Sequence, residues 1–143
     1  ILAATAAPKF IDLTGDARSA TMEGLEGSIQ SAVEIAHAKA LIEGATGAAS
    51  EIEVAGDFYS TPNGWPAAES GAGVTTAGFG IKELIEVDLT VDSGDFEVAE
   101  ETATAITFTH QGATDKLTCT VIYDISASDT ETRPTVTTDL TGC

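Results

Sequence analysis

Two cysteines, two histidines and a dense set of carboxylates are the side chains here whose types and spacing bear on chemistry. Cys119 and the last residue, Cys143, lie too far apart for the Cys-x-x-Cys spacing of a redox pair. A free thiol at a chain end has little packing use, whereas a bridge back to Cys119 would pin a fraying terminus. The reading is therefore a structural disulfide, which implies an oxidising compartment. In the chain-entropy model a bridge closing a loop of this length is worth roughly 3 kcal/mol. His37 falls on a polar helix face and His110 at a strand end, so both are expected in solvated positions. Neither has a Cys or His partner at metal-ligand spacing. One acidic group stands out: Asp88, Asp92, Asp95 and Glu97 surround Gly94, and their oxygens suit calcium. They do not match the EF-hand loop, and a solvated acidic turn is the preferred reading. No Gly-x-Ser-x-Gly, no phosphate loop and no dinucleotide fingerprint is present. The expectation is a protein that is not an enzyme and carries no cofactor.

Charge narrows the partners. The chain of 143 residues holds 23 acidic and 6 basic residues, a formal net charge of −17. The cations Lys9, Arg18, Lys39, Lys82, Lys116 and Arg133 are scattered. Nucleic-acid binding needs clustered cations to replace phosphate counterions, so none is expected. The length suits one domain with its own core. No run approaches the roughly 20 apolar residues of a membrane span. The opening run, residues 1–7, is apolar and starts abruptly, like the tail of a longer hydrophobic element.

The elements that must position these residues follow from periodicity. Residues 9–44 read as one long helix. Met22, Leu25, Ile29, Ala32, Val33, Ala36 and Ala40 recur at steps of three and four, while Glu23, Glu26, Gln30, Glu34 and His37 form a polar stripe. Gly15, Gly24 and Gly27 weaken it, and Gly44 and Gly47 stop it. Pro8 marks either a helix start or a kink. Residues 45–95 read as a loop-rich connection containing one short strand at Ile52 and Val54 and a short helix over 81–86. Trp65, between Gly64 and Pro66, is expected as a buried plug. Residues 96–143 read as an antiparallel sheet. Residues 104–110 and 116–125 alternate, with Leu117, Cys119, Val121, Tyr123 and Ile125 on one face, joined by turn residues 111–115. A further strand is expected over 134–140. The class is α+β, with a helix and a small antiparallel sheet burying their apolar faces on each other.

Ile1-Leu2-Ala3-Ala4-Thr5-Ala6-Ala7-Pro8-Lys9-Phe10 resembles the second half of the N-terminal signature of type IV pilins. Ile11-Asp12-Leu13, Asp16-Ala17-Arg18 and Met22-Glu23-Gly24 resemble the mannose-sensitive haemagglutinin type most closely. Asn63-Gly64-Trp65-Pro66 is similar to the Gly-aromatic-Pro element of their helix-to-sheet loop, and Cys119 with Cys143 to their C-terminal disulfide. The peptidase site, the methylated first residue and the glutamate of the family's mature N-terminus have no counterpart in this sequence. The resemblance implies a structural subunit, the major pilin of a surface filament serving adhesion, biofilm formation and motility. It implies a homo-oligomer of helical symmetry, with Ile1, Leu2, Ala3, Ala4, Ala7, Pro8 and Phe10 in the filament core. It further implies an inner-membrane and periplasmic stage through a segment preceding Ile1, then an extracellular pilus. Two relatives remain open as alternatives: a type II secretion pseudopilin, in which a calcium site often replaces the terminal disulfide, and a minor, receptor-binding pilin.

Overall fold

The computed structural model describes residues 13–71 and 78–143. The expectations for the 1–8 segment, for Pro8 and for the helix start at 9–12 lie outside the described residues. Helix α1 runs Leu13–Glu43, 31 residues. It buries Met22, Leu25, Ile29, Val33, Ala36 and Ala40, the stripe expected from periodicity. At 100° per residue these six positions share one side of the helix. The chain leaves α1 at Gly44, whose φ of +69° suits a residue without a Cβ.

The connection is more ordered than expected. The reading above gave one strand at Ile52 and Val54; the structure has a hairpin, β1 (Glu51–Val54) paired antiparallel with β2 (Asp57–Ser60). Its two-residue turn places Ala55 at φ +55° and Gly56 at φ +97°, the left-handed pair that matches strand twist. Alanine at the first position hid this turn, because Asn, Asp or Gly is the usual signal there. A short 3-10 turn follows at Pro62–Gly64, and α2 spans Ile81–Leu84, ending where Glu86 turns to φ +46°.

Four strands make the main sheet: β3 (Phe96–Glu101), β4 (Ala105–His110), β5 (Thr120–Asp124) and β6 (Thr135–Asp139). They pair antiparallel in chain order, with a register shift between Val98 and Glu100. The reading above assigned no individual strand to 96–101, where acids interrupt the alternation. It also began the second strand too early. Leu117 is 86% exposed, not on the core face. The turn extends through 111–119 because the Asp115 carboxylate accepts the Leu117 N–H and the Asp115 carbonyl accepts that of Thr118. Cys119, Val121 and Tyr123 are buried as expected, with Ile125 half-buried beyond the strand end.

The sheet's inner face, through Ile106, Phe108, Val121 and Tyr123, packs on Met22, Leu25, Ile29 and Val33 of α1. A second, smaller cluster joins Ala36 and Ala40 to Ile52 and Tyr59 of the hairpin. Every one of these side chains leaves water at about 25 cal/mol per Å², the term that binds helix to sheet. The fold is thus α+β: a long N-terminal helix, antiparallel sheets and a disulfide-closed C-terminus.

Candidate functional site

The two cysteines form the expected bond: Cys119–Cys143, S–S 2.01 Å, Cα–Cα 4.8 Å. Both are buried. The bond delivers the C-terminal tail to the start of α1, where an Arg18 guanidinium N–H donates to the Cys143 carbonyl at 3.0 Å. The tail is held further by the Asp115 N–H donating to the Gly142 carbonyl and the Gly142 N–H donating to that of Thr118. A Cβ at Gly142 would collide with the Asp115 carbonyl and the Thr118 hydroxyl, so glycine is required there.

Trp65 is the expected plug, 5% exposed. Its indole N–H donates to the Asp129 carbonyl at 2.8 Å, and the Tyr123 hydroxyl donates to the neighbouring Pro66 carbonyl at 2.7 Å. Burial pushes the Tyr123 hydroxyl far above its ordinary pKa. His37 departs from the solvated position expected of it. Its ring stacks on Trp65 at 3.6 Å and 3° between planes, and its Nδ1–H donates to the Gly64 carbonyl at 2.8 Å. A side chain on the polar stripe is recruited because the 62–66 loop folds back over α1. His110 is likewise half-buried, not solvated. It sits edge-on to Phe96, with ring centroids 6.3 Å apart.

The acidic group does not converge. Hydrogen bonds from the Thr90 side chain and then from its N–H hold the Asp88 carboxyl below the ordinary range. Asp92 sits at φ +70° with its N–H donated to the Gln111 side-chain carbonyl. The Asp95 carbonyl accepts the Gln111 N–H, and Glu97 is paired with Lys116 at 2.6 Å. Among the described residues no three His, Cys, Asp or Glu side chains are placed to share a metal ion.

One further feature was not in the sequence reading. Beside α1 runs an open groove of about 630 Å³, walled by Gly24, Gly27, Ala32, Ile35 and Lys39 on the helix and by Val54 and Leu84 opposite. It merges with an exposed stripe on α1: Gly24, Gly27, Ser28, Ser31, Ile35, Ala38 and Ile42. At 100° per residue these seven lie within an arc of about 100°, on the side of the helix away from the buried stripe. None is charged. Ile35 is 68% and Ile42 86% exposed. Thus α1 has three faces: one on the core, one acidic, and one uncharged and open. The signal was present in the sequence as a second set of uncharged positions at helical spacing.

Electrostatics single out the same stripe. Among the described residues each cation is engaged within the chain: Lys39 with Glu43, Lys82 with Glu101, Lys116 with Glu97, Arg133 with Glu34, and Arg18 with the tail carbonyl. With 23 acidic residues against 6 basic ones, the charge left over is acidic. Compared with protein families, curated proteins and solved structures, the chain gives no match.

Proposed function

We propose that this chain is a structural subunit of the type IV pilin kind, polymerising through α1 into a surface filament. The observation that carries the reading is the uncharged, exposed stripe of α1 beside its groove. Ile35 and Ile42 are not scattered singly but share one uncharged stripe with the groove, and a contiguous apolar patch is what marks an interaction surface. Head-to-tail contacts whose rotation does not close extend into an open helical filament. The long helix, the antiparallel sheet and the Cys119–Cys143 bond agree with the sequence resemblance in their order along the chain. The disulfide, together with acids 88–97 that do not converge, supports a filament-forming pilin over a secretion pseudopilin. In this reading the subunit waits in the inner membrane and ends outside the cell, where the filament serves adhesion.

Electron microscopy of fibres sheared from producing cells tests the proposal. Thin fibres labelled by antibody against this chain are expected, and they should be lost in an Ile35→Asp variant that still folds. Monomer alone in both the wild type and the variant would refute it.

A further inference from the structure

At the corner where α1, the β4–β5 turn and the C-terminal tail meet, His110 is the acceptor of a backbone hydrogen bond. The Gly112 N–H donates to its Nδ1 at 3.0 Å. Nδ1 must therefore carry a lone pair, so the ring is neutral with its proton on Nε2. Gly112 is wedged between two side chains. A Cβ there would lie 3.4 Å from the His110 ring and 3.5 Å from the Arg18 Nε. The turn that starts at Gly112 also carries Asp115 and Thr118, whose backbone groups hold Gly142 of the tail.

We propose that His110 is an acid-released latch: adding a proton at Nδ1 removes the acceptor for Gly112 and loosens the 111–118 turn from α1 and the tail. The charged groups facing the ring are Arg18 from α1 and Asp95 from the segment leading into β3; the Phe96 ring and the Gly112 amide are the neutral neighbours. Burial, the largest influence, and the Arg18 charge both disfavour the imidazolium, while Asp95 favours it. The net direction is a lowered pKa. The unfolded chain then binds the proton more readily than the folded one. The latch's stabilisation is complete above the ordinary histidine value and is lost as the pH falls through the lower folded value. The proton comes from solvent and no other group changes covalently. The inference concerns the isolated subunit and does not depend on the filament reading.

Nuclear magnetic resonance titration of the full chain tests this. The Gly112 amide resonance is expected to move with the same midpoint as the His110 ring, below the ordinary histidine range. Below that midpoint, Gly112 amide exchange, corrected for its intrinsic pH dependence, should rise roughly fivefold, as loss of one hydrogen bond implies. A His110→Phe variant keeps a ring against Phe96 and should lose the response. If that variant does not fold, the wild-type titration decides alone. Arg18→Gln should move the ring's midpoint up, because a disfavouring cation is gone. A ring that titrates while Gly112 stays flat overturns the proposal, as does an unchanged Gly112 response in His110→Phe or an unmoved midpoint in Arg18→Gln.

Discussion

Burial separates the two isoleucines of α1 that matter most. Ile29 is fully buried between helix and sheet, and Ile35 is 68% exposed. Ile29→Ala removes buried methylene groups and leaves a cavity, so it should cost about 2–5 kcal/mol. Ile35→Ala in the isolated subunit should cost within about 0.5 kcal/mol. Urea denaturation followed by circular dichroism measures both. Equal costs would mean that the core-facing stripe is misassigned. At this scale the sequence was legible where apolar spacing alone decides, as at Leu25, Ile29 and Val33. It was opaque at His37 and His110. Their half-buried positions depend on a loop folding back over α1 and on a turn docking against Arg18, contacts between residues far apart in the chain. It also missed Leu117, whose place in an alternating run suggested burial until Asp115 drew the backbone into a turn.

Elements show the same division. The end of α1 and the positions of β4 and β6 follow from period and turn chemistry, as does the existence of β5 though not its start, whereas the β1–β2 hairpin was hidden by Ala55 at a left-handed position. The third face of α1 was hidden for another reason. Glycine, serine and alanine score as neither core nor polar, so a stripe of them is silent in a hydrophobic pattern. Gly24 and Gly27 make a sharp test of that face. A Cβ at either meets nothing within 4 Å in the subunit. Replacing both by alanine should therefore stabilise the monomer, by up to about 1 kcal/mol each from helix propensity. In the proposed filament the added methyls would stand where a neighbouring surface approaches, so fibre yield should fall although the subunit is more stable. Thermal unfolding and fibre yield measured on the same variant separate the two effects. Unchanged yield would show that the groove is not an assembly surface. The disulfide acts on another element, the C-terminal tail. Reduction should lower stability by roughly 3 kcal/mol and should release the Cys143 carbonyl from Arg18. A melting temperature that does not move on reduction would contradict this.

For the whole molecule, charge would govern how copies meet in the proposed filament. A formal net charge of −17 makes two subunits repel at long range. The described cations are already engaged inside the chain, so few are left to pair with a neighbour's carboxylates. On the proposed reading, the uncharged stripe of α1 is where a second copy would approach with least opposing charge, and the contact would be mainly apolar. Salt should then act in the direction opposite to an interface built on ion pairs. Between about 0.01 M and 1 M salt the screening length falls from about 30 Å to about 3 Å. Repulsion between the acidic surfaces fades, while the apolar contact is left intact. Self-association is therefore expected to strengthen steadily with sodium chloride. Magnesium chloride at equal ionic strength should exceed it only if divalent ions bind the carboxylates, and the acids 88–97 do not converge to hold one. Sedimentation velocity across a salt series measures this directly. Association that weakens as salt rises would show that copies are held by ion pairs between subunits, and the uncharged face of α1 would then lose its role in assembly.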